Sequence, residues 1–302
     1  MIIFSNKCGQ LGNRMFAFAH LIASAEANGQ KVINLSFDEY ARYFEPTQGD
    51  LLCRYPPVKS FVSSNRLRSL LFIVNKIIVK LLRNLRFTNS FLHKVIVADL
   101  PEYQFNKSQF YDLKNMSLLR VKPVIFLFGR FFRDYDNVLI HKDKIKRYFT
   151  PVNEIQNQLN QLYAALRLRA DILIGVHIRR GDYRQFVDGK YLFSQKQYAE
   201  KLVELQRSFG DKKILFILCS NESIDLSNFE SLPIVAGPGH LVTDMYLLAK
   251  CDYIMGPPST YTLWASFYGE KPLYQLRDLN RVINIDLFVH LNPSILYNFS
   301  FN

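Results

Sequence analysis

The sequence predicts an α/β protein of two domains, each built on a parallel sheet with helices packed against it. Three observations carry this. The chain has 302 residues, which as a soft guide is about two domains. Its second half alternates apolar strand-like runs with helical segments, the pattern of βαβ units. Tyr148-Phe149-Thr150-Pro151 breaks the chain near its middle, which divides it into 1–150 and 151–302.

Ile2-Ile3-Phe4 reads as a first short strand. It runs into Gly9-Gln10-Leu11-Gly12-Asn13-Arg14, ahead of the apolar stretch Met15 to Ala27, and describes a tight turn opening a helix. A helix start carries free N–H groups and a partial positive charge. Asn13 and Arg14 in its first turn would face whatever fills a neighbouring cleft; a purely structural turn reads equally well. The glycine spacing is neither GxGxxG nor a Walker loop, so neither NAD nor ATP is indicated. Lys31 to Leu35 is the next strand. Residues 51–98 then hold nine Lys and Arg and no Asp or Glu. Within them Leu70 to Val74 and Ile77 to Val79 are interrupted by Lys76, Lys80 and Arg83 at helical spacing, which makes a basic amphipathic helix. Two readings stand: a helix lying on an anionic membrane surface, or an ordinary helix packing its apolar side on a core. Ser63-Ser64-Asn65 supplies its loop and N-cap. Val124 to Gly129 is a further strand. Asp134 and Asp136 behind it form a DxD, a spacing able to hold a divalent ion.

The second half opens with a polar helix from about Val152 to Arg169. Next comes Asp171 to Tyr183, DILIGVHIRRGDY. Its β-branched run Ile172 to Val176 reads as a buried strand of a parallel sheet. It ends in His177, Arg179, Arg180, Asp182 and Tyr183, and in open α/β sheets ligands bind just outside the carboxyl ends of strands. Alternation puts His177 and Arg179 on one side and Arg180 on the other. An Arg pair beside a His suits a phosphate or pyrophosphate, because the guanidinium fork makes paired charge-assisted hydrogen bonds. A helix over 194–209 follows, then the strand Lys213 to Leu218, which runs into Cys219-Ser220-Asn221-Glu222. Ile234 to Ala236 is a short strand and Thr243 to Lys250 a helix with Asp244 early in it. Asp252 to Met255, a helix from Tyr261 to Tyr268, and Pro272 to Gln275 complete the alternation. Between strand and helix, Gly256-Pro257-Pro258 leads into Ser259-Thr260. Those hydroxyls and the free N–H groups of the helix start make an anion cradle without lysine; a cap that only caps is the plain alternative.

Composition sets the outer limits. An apolar content of 49% supports a large core, and 14% aromatic residues argue against disorder. The formal charge of +12 favours anionic partners: a sugar nucleotide, nucleic acid or anionic lipid. Nucleic acid is not expected, since no recognisable motif is present and the basic residues are not interleaved with stacking aromatics near 177–183. Cys8, Cys53, Cys219 and Cys251 lie far apart with no CxxC pair, which reads as a reducing compartment and no zinc site. No basic n-region precedes Ile2-Ile3-Phe4, so no signal peptide is expected. No uninterrupted apolar run reaches the ~18 residues of a spanning helix. The expected location is cytoplasmic, with peripheral contact at the inner face of a membrane.

Four pieces of the chain resemble the α-1,2-fucosyltransferases of glycosyltransferase family 11, bacterial type. GQLGNRMFAFA resembles their GGLGNQMFQYA opening, and HIRRGDY their HxRRGDY block. LCSNE resembles an FSDD-like block, and DMYLLAKCDYIMGPPSTYTLWASFYG their D-x-x-L-M-x-x-C-x-x-x-I-x-x-S-S-F-S-W-W block. The pieces stand in family order from residue 9 to 269. The resemblance implies a GT-B-like fold, two Rossmann-like domains facing a cleft, with 1–150 on the acceptor side and 151–302 holding the nucleotide sugar. It implies GDP-fucose as donor, a hydroxyl of a galactose-containing surface glycan as acceptor, inversion at the anomeric carbon, and no metal or other cofactor. By that analogy Arg179 neutralises the donor phosphates, His177 and Asp244 touch the guanine side, Ser259 and Thr260 contact the β-phosphate, and Asn13 faces the fucose. Arg180 and Asn221 join the substrate-binding set. Asp182 is the candidate general base, and reads equally well as the counter-ion of Arg180. Gly256-Pro257-Pro258 departs from the usual Asn-containing turn, Thr262-Leu263-Trp264 from Ser-Trp-Trp, and Arg14 from Gln. The alternatives are a metal-dependent glycosyltransferase built on Asp134 and Asp136 that uses another nucleotide sugar, and a nucleic-acid-binding protein that uses the +12 charge.

Overall fold

A computed structural model describes residues 1–60, 62–98, 111–113, 122–129 and 132–292. Phe61 in the basic segment, Arg130 and Phe131 behind the 124–129 strand, and the C-terminal residues 293–302 lie outside the described residues. The chain forms two compact units, Met1–Asn153 and Glu154–Ser300.

The first unit contains β1 (Ile2–Phe4), α1 (Leu11–Asn28), β2 (Val32–Asn34), α2 (Glu45–Gln48), β3 (Arg54–Tyr55), α3 (Asn65–Asn84), β4 (His93–Ala98), β5 (Tyr111–Asp112), β6 (Val124–Gly129), β7 (Phe132–Arg133), α4 (Tyr135–Ile140) and α5 (Lys142–Tyr148). Its main sheet has the order β3-β2-β1-β6-β4, parallel except where β3 joins β2. α1 starts at Leu11, where the chain has turned at Gly9 (φ 59°), and Asn13 and Arg14 lie in its first turn as the sequence predicts. Phe18, Phe37, Phe44, Tyr148 and Phe149 meet edge to face or tilted in the core behind it. Within 51–98, β3 and β4 flank α3, which Ser64 caps as the sequence predicts by accepting the Leu67 N–H at 3.3 Å.

α3 overturns the reading in which its apolar side packs on a core. The residues it buries are Arg68, Asn75 and Val79, one face at 3.6 residues per turn. Arg68 donates to the carbonyls of Thr47, Gln48 and Asp50 at 2.8, 2.7 and 3.1 Å, so it gathers the carbonyls where α2 ends. Asn75 donates to Ser5 Oγ at 2.7 Å, tying α3 to the end of β1. Leu67, Leu70, Val74, Ile77, Ile78 and Leu81 are exposed.

The DxD has a local role. Asp134 is buried and caps α4, its Oδ1 accepting the Asn137 backbone N–H at 3.3 Å and its Oδ2 the Asn137 Nδ2 amide at 2.9 Å. Asp136 sits in the first turn, where a carboxylate favours the helix dipole.

The second unit contains α6 (Asn153–Arg167), β8 (Ile172–Ile178), α7 (Gln195–Arg207), β9 (Ile214–Ser220), β10 (Ile234–Ala236), α8 (Leu241–Lys250), β11 (Tyr253–Gly256), α9 (Thr260–Gly269) and β12 (Leu273–Gln275). All strands run parallel in the order β10-β9-β8-β11-β12. The segment DILIGVHIRR thus supplies the central strand, buried on both faces, which is why it reads as a continuous apolar run. α7 begins with a full capping box from Ser194 and Gln197. Trp264 and Thr262, at the positions departing from Ser-Trp-Trp, are fully buried in α9. All four cysteines are buried free thiols.

Candidate active site

Eight of the nine residues marked by the sequence lie at one end of the second unit's sheet; Asn13 is exposed in the first turn of α1, in the other unit. The group is built where β8, β9 and β11 finish and α8 and α9 begin.

His177 is the last but one residue of β8, paired in register with Cys219 of β9. Its ring is buried and stacks on Tyr261 at 4.6 Å and 28°. Burial, with the Arg179 charge beside it, pushes its pKa down to about 3, so the imidazole is neutral at working pH. Its Nδ1 has no hydrogen-bond partner among the described residues. Tyr261, which the sequence reading passed over, is fixed by its own hydroxyl donating to the Leu241 carbonyl at 2.8 Å.

Two glycines allow the chain this geometry. A Cβ on Gly256 would stand 3.0 Å from the His177 carbonyl and 3.1 Å from His177 Cβ, so β11 ends tight against β8. Gly181 has φ 57°, and a Cβ there would meet Asn221 Nδ2 at 2.8 Å. Beyond Gly181 the chain makes one short helical turn, Gly181–Arg184.

The two arginines take different partners. Arg179 is buried, lies over the Tyr183 ring at 5.6 Å, and donates from Nη2 to Asp182 Oδ2 at 2.7 Å. Arg180 donates from Nε to Glu222 Oε2 at 3.2 Å, and its backbone N–H goes to Asn221 Oδ1 at 2.9 Å. The counter-ion of Arg180 is therefore Glu222 on the β9 loop, not Asp182. The reason is the left-handed turn at Gly181, which folds Asp182 back toward Arg179. Asn221 and Glu222 act here as the clamp that holds the β8 loop. Tyr183 completes it by donating its hydroxyl to the Pro258 carbonyl, which ties that loop to the Gly256–Pro258 turn.

Ser259 caps α9, its Oγ accepting the Tyr261 N–H at 3.1 Å, and Thr260 opens the helix. Asp244 stands in the first turn of α8 and is buried. Its carboxylate accepts the Gly239 N–H at 3.1 Å and the His240 N–H. Burial nevertheless dominates and raises its pKa to about 6. The arrangement offers a buried cation, two helix starts, a neutral aromatic stack and a buried carboxylate at the mouth of a parallel sheet. That combination suits a nucleotide: a flat base, and phosphates that need preorganised donors. Among the described residues no group of three or more His, Cys, Asp and Glu is placed to hold a metal ion.

A parallel sheet with its charged residues at the carboxyl ends of the strands defines a protein of the α/β class. The model of glycosyl transferase family 11 matches residues 64–276, and the chain belongs to that family. Curated relatives include galactoside α-(1,2)-fucosyltransferase 1 of Rattus norvegicus, 27% identical over 142 residues, which are 42% of this chain and 37% of the relative. The human protein of the same name is 26% identical over 142 residues, 42% of this chain and 38% of its own length. The matched region thus spans under two-fifths of these relatives. Among solved structures, a mutant of Arabidopsis thaliana FUT1 in complex with GDP superposes with a TM-score of 0.59 at 14% identity, over 92% of this chain and 71% of that one. NodZ α-1,6-fucosyltransferase soaked with GDP-fucose gives 0.56 at 15% identity, over 91% and 94%. The fold is α/β and GT-B-like, with two Rossmann-like units.

Proposed function

We propose that the protein is an inverting α-1,2-fucosyltransferase, moving L-fucose from GDP-fucose to a galactoside hydroxyl of a surface glycan. The observation that carries this reading is the pairing of a buried, carboxylate-held Arg179 with the stacked, neutral His177 at the carboxyl end of β8. The second unit would hold the nucleotide and the first the acceptor, with Asn13 toward the sugar.

Transfer breaks the bond from fucose C1 to the β-phosphate oxygen while the acceptor oxygen bonds C1 from the opposite face. A β-linked donor then gives an α product. Negative charge grows on the leaving GDP, and preorganised cationic donors are the main source of rate. Arg179 supplies a two-pronged donor, and the α9 start with Ser259 and Thr260 supplies hydroxyl and N–H groups to the β-phosphate. His177 and Tyr261 line the guanine side, where ionised Asp244 accepts from guanine N–H groups. Arg180 and Asn221 hold the loop that presents Arg179. The acceptor proton leaves to a base, for which Asp182 is the candidate; its ion pair with Arg179 couples the two roles. No metal or other cofactor is required in this scheme, and Asp134 is already engaged as a helix cap. The location is cytoplasmic, with peripheral contact to anionic membrane.

The test is a melting-temperature comparison of GDP, UDP, ADP and CMP, followed by transfer from GDP-fucose to galactosides in excess EDTA. GDP alone should stabilise, and transfer should survive EDTA. Equal shifts with UDP and GDP would remove the guanine assignment.

A further inference from the structure

We infer that the outward face of α3 is a docking surface for an anionic phospholipid bilayer, with its apolar stripe in the lipid and its basic flank at the headgroups.

The helix is mounted inside out for a soluble core. Leu70, Val74, Ile77 and Leu81 recur at helical spacing and face away from the unit, with Leu70 and Ile77 each 53% exposed. The side turned inward carries Arg68 and Asn75, both satisfied by specific hydrogen bonds, so the orientation is fixed by polar anchors. Phe87, Phe91 and Leu92, just after the helix in the chain, are exposed as well. A contiguous apolar face of this length on a soluble unit marks an interaction surface.

Charge selects the occupant. At 3.6 residues per turn, Lys76, Lys80 and Arg83 fall on the flank between the inward and outward stripes. None of them forms an ion pair among the described residues, and 51–98 contains no acidic residue at all. The carboxylate that α3 does touch, Asp38 through Ser69, is neutralised by Lys7 at 2.7 Å. A groove of about 710 Å³ runs along this flank, lined by Phe72, Lys76, Lys80, Arg83 and Phe128 among others. Its cations and rings fit a lipid phosphate and the first carbons of its chains. A second copy of the chain fits poorly, because a two-fold contact sets the same patch against itself and brings like charges together. An apolar stripe with a basic flank is the pattern of a helix lying in a bilayer interface.

The test uses the full chain with sedimented vesicles, either phosphatidylcholine alone or phosphatidylcholine with phosphatidylglycerol. Light scattering after gel filtration gives the lipid-free oligomeric state, and the melting temperature checks folding. We expect binding to the phosphatidylglycerol vesicles at low salt, weakened by added salt. Leu70→Asp with Ile77→Asp, and separately Lys80→Glu with Arg83→Glu, should each lower partitioning more than about tenfold. All four positions are exposed, so folding should be unchanged. No binding at low salt, or binding indifferent to both variants, overturns the proposal. So does a lipid-free dimer that Ile77→Asp separates, since a second copy would then cover the face. Vesicle binding needs neither nucleotide nor turnover, so the outcome is independent of the transfer reaction proposed above.

Discussion

Arg179 and Arg180 are neighbours in sequence with different partners, and this separates their expected phenotypes. Arg179→Ala should lower turnover by ~10²–10³, the usual loss for one preorganised donor to a developing anion. Arg179→Lys should rescue poorly because an ammonium cannot reproduce the fork. Arg180 is paired with Glu222 in a half-exposed ion pair. Arg180→Ala should cost about 1 kcal/mol of stability and lower turnover far less than Arg179→Ala does. Turnover, GDP affinity and melting temperature of both variants decide this; an Arg179→Ala enzyme above about a tenth of full turnover removes the clamp role. Asp244 gives a pH prediction. Its folded pKa is raised to about 6 by burial, above the ordinary carboxylate value. The fold therefore prefers the protonated form: stability is highest below the unfolded pKa near 4 and declines as pH rises toward about 6. Asp244→Asn should flatten that decline in melting temperature. GDP binding through the ionised carboxylate runs the other way, weakening toward tenfold per unit as pH falls below about 6. A GDP affinity constant from pH 5 to 7, measured by calorimetry, would exclude Asp244 from the base site.

Among the elements, the strand end at 177–182 was the most legible part of the site. A β-branched run that stops in charged residues has few structural explanations, and in a parallel sheet it points at the ligand. Tyr261 and Glu222 were not legible as partners, because their contacts with His177 and Arg180 come from strand order, not from local spacing. α3 shows the same limit from another side. Periodicity gave its apolar stripe but not which stripe faces inward, which depends on carbonyls at the end of α2 and on Ser5. β4 was missed because its six residues follow the basic helix without an alternation distinct from it. Arg68 is the element's main anchor. Arg68→Met keeps the buried volume but strips the donors from the carbonyls of Gln48 and Asp50, while Thr47 keeps the Asp50 N–H, and should cost about 3 kcal/mol by the penalty for unsatisfied buried groups. Chemical denaturation of that variant checks this; a cost under about 0.5 kcal/mol would mean water replaces the guanidinium.

For the whole molecule, the alternation of strands and helices made the fold class legible, since each strand needs a covering helix to bury its apolar faces. The N-terminal half was less so: β3, β5 and β7 are two-residue strands, too short to leave a pattern. Each unit has a sheet and core of its own, so calorimetry should resolve two transitions. GDP at ~100 times its dissociation constant should raise one of them by the equivalent of about 2.7 kcal/mol and leave the other in place. A shift of both together would mean that the units unfold as one.

The buried thiols turn this division into a clock. Cys8 and Cys53 belong to the first unit, Cys219 and Cys251 to the second, and all are shielded. Burial raises the Cys53 thiol to about 12 and pushes those of Cys219 and Cys251 up as well, so these three offer no thiolate to a reagent while the fold is closed. Alkylation can proceed only as fast as each half opens. Mass spectra of pulse-labelled protein would then time the breathing of the two halves separately, without any engineered probe.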